Sequence, residues 1–354
     1  MVFIKLSLLL FLLSGCGLTY YTKIAFHQMA ILWKAEEIED ALQDENLSEK
    51  EKEKLRLIQK VRKFGYEKLG LKASDNYTSY TKLDNEYVSY VVNANPLFDL
   101  KPYKWWYPIV GNLTYKGFPD KKHAEELEQE MISKGLDVNL RGVTAYSTLG
   151  WFNDPVLSSM INYPDVSLVN LVLHESTHAT IYIKSNAEFN EQLATFVGNK
   201  GTEIFYKDAK PKLVEKIKMA RDERRIFYAF IGQQKKKLQE LYDSENFQNL
   251  NLAEKLKQKK DFISKIQTNY KNKLKKQIKV LNFDDILRPD LNNAQLALYG
   301  TYTANQELFE QLYQDLGSDF HSLIKHLKTY EQSKDPMRIL KSLTKKIPET
   351  PFRN

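Results

Sequence analysis

SLVNLVLHESTHATIY, residues 167–182, is the stretch on which the reading of this chain turns. Leu168, Leu171, Val172, His178 and Tyr182 recur at the i, i+3, i+4 spacing of one helix face, and no glycine or proline interrupts them. Pro164-Asp165-Val166-Ser167 supplies a start, with Asp165 or Ser167 expected as the N-cap. Inside the helix lies His174-Glu175-Ser176-Thr177-His178. Imidazoles four residues apart share a face and can reach a single Zn²⁺, which accepts neutral imidazole at about 2.0–2.1 Å. Glu175, beside the first histidine, points to the rim of the same site, where it can take a proton from metal-bound water.

Outward from the pentad, Lys184-Ser185-Asn186 reads as a tight turn and a second helix opens near Ala187. At about 1.5 Å rise per residue, an antiparallel pair brings Glu191 level with the two histidines. That completes a His₂Glu set with an open position, the catalytic type of zinc site. The spacing HExxHxxGxxH does not fit, because Ile181 stands where its glycine would be and Lys184 where its last histidine would be. The plainer alternative is a polar face on a core helix with Glu191 at the surface. It would leave two histidines and a carboxylate facing apolar neighbours without compensation.

GVTAYSTLGWFNDPVLSSM (142–160), HESTHATIY (174–182) and FNEQLATFVGNKG (189–201) resemble the bacterial predicted-aminopeptidase family of zincin-type lipoproteins. The similarity extends weakly to WYPIVGNLTYKGF (106–118) and NNAQLALYGTY (292–302). The resemblance implies metal binding by His174, His178 and Glu191, with Glu175 as general base. It also favours a tyrosine as oxyanion stabiliser: Tyr302 first, with Tyr146 and Tyr299 as alternatives among the 21 tyrosines. Two features depart from the pattern. Segment 207–280 is unusually lysine-rich, and the connector between His178 and Glu191 is short.

Met1 to Leu13 carries one charge, Lys5, then the apolar run LSLLLFLL, too short for a span of about 20 residues and proportioned as a signal peptide. It ends in Leu13-Ser14-Gly15-Cys16, which resembles a bacterial lipobox with cleavage before Cys16. Cys16 is the single cysteine, so a disulfide or cysteine-ligated metal is excluded and the thiol is free to carry lipid. Two or more acyl chains would anchor the protein stably. Gly17 after the cysteine suits sorting to the outer membrane, facing the periplasm.

Composition is globular, with 42% hydrophobic and 12% aromatic residues, and the net charge of +7 is concentrated in 207–280. There Leu213, Ile217, Phe227 and Leu238, then Leu256, Ile263, Ile266 and Leu274, recur at helical spacing around a break at Ser244-Glu245-Asn246. This reads as an antiparallel helical hairpin with a solvated lysine-rich face, which could also meet an anionic envelope surface. No nucleic-acid motif accompanies the charge, so no nucleic-acid partner is expected.

The whole is read as α+β and predominantly helical: a zincin-like metallopeptidase core with a small sheet and an inserted basic hairpin. The expected divisions are a signal peptide (1–15), an N-terminal helical region (16–85), sheet plus metal helices (86–206), the hairpin (207–282) and a C-terminal helical region completing the site (283–354). Strands are expected at 87–92 and 141–148 and a helix at 121–134. Val143 to Leu149, with Ala145 and Tyr146, is the candidate edge strand for pairing with extended substrate. Gly198 and Gly201 either let the two metal helices approach closely or end the second helix near Asn199.

The function expected is a lipid-anchored metallopeptidase of the cell envelope holding one Zn²⁺ per chain, an aminopeptidase by resemblance. The alternatives are an endopeptidase, or a non-catalytic envelope lipoprotein with a structural zinc and a partner-binding hairpin. Glu175 favours the catalytic reading, since a structural zinc needs no base. An aminopeptidase also needs a carboxylate for the substrate's α-amino group, and Glu188, Glu203 and Asp154 are candidates.

Overall fold

The computed structural model describes residues 16–107, 111–145, 152–299 and 305–343. Its helices are α1 (Cys16–Trp33), α2 (Glu49–Leu69), α3 (Lys121–Ser133), α4 (Asp165–Thr180), α5 (Ala187–Tyr206), α6 (Pro211–Asp243), α7 (Leu252–Asn269), α8 (Asn293–Leu298), α9 (Gln306–Asp315), α10 (Phe320–Lys328) and α11 (Pro336–Leu343), besides single turns. Its strands are β1 (Glu36–Glu37), β2 (Ser79–Thr81), β3 (Ser89–Pro96), β4 (Trp105–Tyr107), β5 (Gly111–Leu113), β6 (Lys116–Phe118), β7 (Leu136–Val143) and β8 (Val156–Leu157). Helix predominates and the sheets are small, as expected for α+β.

The main core is built on α2, α4 and α5. Helix α2 starts at a capping box, in which the Ser48 hydroxyl accepts from the Glu51 N–H and the Glu51 carboxylate accepts from the Ser48 N–H. It buries Leu55, Ile58, Val61 and Leu69. Against this stripe α4 sets Leu168, Val169, Val172 and Leu173, all fully buried. Each such side chain removed from water contributes about 1.5–3 kcal/mol. The same core takes in α9 and α10 through Phe309, Leu323 and Ile324, and the sheet β1-β2-β8 through Tyr80 and Val156.

The second sheet has the order β6-β3-β7, antiparallel throughout, with Ser89 opposite Val143 and Pro96 opposite Leu136. Its apolar face packs on α3 through Val92, Ala94, Leu127 and Met131, forming a core of its own. This sheet thus rests on α3, and β7 covers 136–143; of the proposed substrate strand 143–149, residues 146–149 lie outside the described residues. Helix α8 also closes β7's outer edge at one end, where Asn292 donates to the Val138 carbonyl at 2.9 Å.

The expected hairpin is present. Its chain reversal is at Ser244, whose hydroxyl caps the next turn by accepting from the Phe247 N–H. Tyr242 meets Phe247 at the turn, and Phe227 meets Tyr270 at the far end, so α6 and α7 run antiparallel. The lysine face holds one exception. Lys259 is buried and paired with Asp137 of β7, and Asp137 also accepts from the Asn293 N–H. Asn293, fully buried, accepts from the Tyr242 hydroxyl and donates to the carbonyls of Pro96 and Leu97. These bonds fasten the hairpin to the second sheet. Among the described residues no helix is long and apolar enough to cross a membrane.

Candidate metal centre

Helix α4 begins at Asp165, with Pro164 in the cap position and no side-chain cap. Asp165 is thus the first helical residue rather than the cap, and it pairs with Lys54 of α2 at 2.6 Å. A carboxylate there also faces the positive end of the helix dipole. The hydroxyls of Ser176 and Thr177, the two middle residues of the pentad, donate back to the Val172 and Leu173 carbonyls. They satisfy themselves on the helix and leave the histidines and Glu175 to face outward from it.

The helix ends at Thr180, two residues before the expected boundary, because Ile181 turns extended. The connector that follows is short and held firmly. Ser185 takes φ +62°, and the buried Asn190 side chain both accepts from the Ile183 N–H and donates to the Ile183 carbonyl, each at 2.9 Å. Asn190 precedes Glu191, so this clamp fixes where the carboxylate that joins the two histidines emerges on α5.

Two glycines set how close α5 comes to α4. A Cβ on Gly201 would stand 2.8 Å from both Leu173 and Leu69, and one on Gly198 would stand 3.1 Å from the Asn170 carbonyl. Helix α5 runs on to Tyr206, so these glycines are contact points and do not end the helix.

The result is a tight triangle. The Nε2 atoms of His174 and His178 are 3.2 Å apart. Glu191 places Oε2 at 3.5 Å from His174 and Oε1 at 3.4 Å from His178. His178 is buried, and its Nδ1 has no hydrogen-bond partner among the described residues. Burial opposes ionisation of Glu191, but hydrogen bonds and charge from the two histidines outweigh it and hold the carboxyl down at about 2. Glu191 therefore stays anionic throughout the neutral range, as a metal ligand must. Among the described residues, His174, His178 and Glu191 are the one group of three or more His, Cys, Asp or Glu side chains placed to hold an ion together.

Glu175 is half-buried, with its Oε2 sealed from solvent. Near it lies Tyr77, which the sequence reading missed. Tyr77 is buried at φ +60°, a conformation a bulky side chain rarely adopts, and its N–H donates to the Asp154 carbonyl at 2.7 Å. Burial first, and then the charges of Glu175 and Asp154, push its hydroxyl far above the ordinary tyrosine range. Tyr77 is therefore a neutral neighbour of the carboxylate at every working pH.

The remaining candidates are placed as follows. Ala145 lies beyond β7, partly buried against the main core. Tyr146 and Tyr302 lie outside the described residues. Tyr299 packs on Phe227 in the hairpin core. Glu188 accepts from Gln192 one turn along α5. Glu203 is buried and paired with Arg221 at 2.5 Å. It lies about 18 Å along the helix from Glu191 at 1.5 Å per residue, too far to hold the amine of a residue being cleaved at the triangle. The other histidines are engaged elsewhere: His27 with the Val88 carbonyl, His123 with Asp120, His326 with Tyr330 and His321 with Asp319.

A family model described as "Putative aminopeptidase" matches residues 19–341, most of the chain. The chain belongs to that family. The match embraces all three residues of the triangle and Glu175, and it points to a peptidase. No curated protein and no solved structure matches the chain.

Proposed function

We propose that the protein is a zinc-dependent peptidase, an aminopeptidase acting in the cell envelope and anchored there by lipid on Cys16. The observation that carries the zinc reading is the spacing of the triangle. A tetrahedral ion with bonds of about 2.0–2.1 Å separates its ligand atoms by about 3.3 Å, and here the separations are 3.2, 3.4 and 3.5 Å. Two imidazoles and a carboxylate also match the donor set of catalytic zinc, which leaves one position open.

Zinc held there would acidify a bound water and polarise the scissile carbonyl. The chain's own residues do the rest. His174 and His178 would present their Nε2 atoms, and Glu191, ionised and positioned by the Asn190 clamp, would supply the third donor. Glu175, next to the first ligand and half-buried on α4, accepts the proton of the attacking water on its carboxylate and returns it to the leaving amine. Tyr77 and the sealed side of Glu175 keep solvent from one face of that carboxylate. Anchoring rests on the Leu13-Ser14-Gly15-Cys16 sequence and the apolar run before it.

The test is Glu175→Gln, which keeps size and one acceptor but takes no proton. The variant should keep its metal and its fold while peptide turnover falls about 10²–10⁴-fold, in kcat with KM little changed. Turnover at the wild-type rate would reject this mechanism.

A further inference from the structure

The triangle does not open onto bare surface. His174 lines one end of a groove of about 850 Å³ that runs along α5 past Thr195 and Asn199 to Glu203. Its walls are α6 on one side and α9 on the other. From Thr195 to Glu203 the floor is about 12 Å long, room for three to four residues of extended peptide at about 3.3 Å each.

The charges along the groove fall into two classes. Arg221 is committed to Glu203, and Lys200 to Glu310 at 2.8 Å. Lys218, Arg224 and Arg225 line the same groove, are exposed, and have no ion pair among the described residues. The acids without an ion pair there are Asp222 and Glu307, so the cations outnumber them. Lys218 and Arg225 lie two turns apart on α6, with Arg224 beside the latter, so the uncommitted charge stands along the α6 wall of the groove.

We propose that this groove binds the portion of a peptide C-terminal to the scissile bond, and that Lys218, Arg224 and Arg225 select substrates bearing carboxylates there. The proposal rests on the peptidase reading of the triangle. An aminopeptidase leaves one residue on one side of the cut and all others on the opposite side, so a single long groove is what such a substrate requires. Guanidinium groups pair with carboxylates through two parallel hydrogen bonds, which makes arginine suited to reading acidic side chains or a C-terminus.

The test measures binding without turnover. Full-length Glu175→Gln protein loaded with zinc is titrated calorimetrically with three hexapeptides that share a free N-terminus. One has glutamates at positions four and five, one has glutamines there, and one has the glutamates and an amidated C-terminus. At low salt the glutamate peptide should bind about five- to tenfold more tightly than the glutamine peptide, as expected for two exposed ion pairs. The difference should shrink in 0.5 M salt, an added concentration at which the screening length falls to about 4 Å. The amidated peptide separates side-chain recognition from recognition of the terminus. In Arg224→Gln/Arg225→Gln, which alters only exposed side chains of α6, the ratio between glutamate and glutamine peptides should fall toward one. Equal binding of the three peptides, no binding by any, or a ratio that survives the double substitution would each overturn the proposal. Failure of the wild-type protein to hydrolyse any peptide would instead refute the peptidase reading, which this titration does not measure.

Discussion

The protein contains two antiparallel helix pairs of opposite design. The pair α4–α5 turns polar groups inward: two histidines and a glutamate converge within 3.2–3.5 Å at a seam kept narrow by Gly198 and Gly201. The hairpin α6–α7 turns its charges outward and buries a stripe of Phe227, Ile231, Leu238, Ile263 and Ile266. The same secondary structure thus gathers polar groups in one place and apolar ones in the other. What separates them is where the polar groups point and how tightly the backbones approach. Where charge does turn inward in the hairpin it is satisfied at once: Lys259 pairs with Asp137, and Glu223 accepts from the N–H groups of Lys279, Val280 and Leu281.

The Lys259–Asp137 pair gives the largest expected effect on stability. Lys259→Met should destabilise the protein by about 3–5 kcal/mol in chemical denaturation, because it leaves the Asp137 carboxylate buried without its cation. A loss below 1 kcal/mol would mean that the pair does not fasten the hairpin to the sheet. The two glycine environments come next, and their signs differ. Gly201→Ala should cost about 1–3 kcal/mol, since its methyl group has no room between Leu173 and Leu69, and should also weaken metal affinity by spreading the helices. Gly232→Ala, on the exposed face of α6 with nothing within 4 Å of the new methyl, should gain about 0.5–1 kcal/mol. Equal responses would erase the distinction between the two pairs. The smallest effect belongs to the outward charges. Lys236→Ala removes a pair with Glu240 that is 4.0 Å long and largely exposed, and should change stability by less than about 0.5 kcal/mol.

The helices were legible because their signals are local. The apolar spacing from Leu168 onward placed α4 within two residues, and the short interval from His178 to Glu191 required a return that only a close antiparallel pair provides. The hairpin break at Ser244 was legible for the same reason, since a serine that caps the next turn marks its own position. The sheet was harder to read. β3 continues through Asn93, Ala94 and Asn95, and asparagine is depleted in strands, so its reach beyond Val92 was hidden. Asn93 is accommodated because it sits opposite Asn139 and donates to the Thr114 carbonyl, partners that only the folded chain supplies. Tyr77 was illegible altogether. Its neighbours in sequence carry no motif, and its proximity to Glu175 comes from the clasp between residues 76–77 and Asp154. Asn190 was in view beside Glu191, but its role depends on a connector geometry that spacing alone does not specify.

The central claim is that His174, His178 and Glu191 hold one catalytic zinc, and elemental analysis of purified protein tests it most directly. Wild type should carry about one zinc per chain, and Glu191→Ala, which leaves two protein ligands, should lose most of it. Full zinc occupancy in Glu191→Ala, or none in a wild-type protein equilibrated with zinc, would contradict the account.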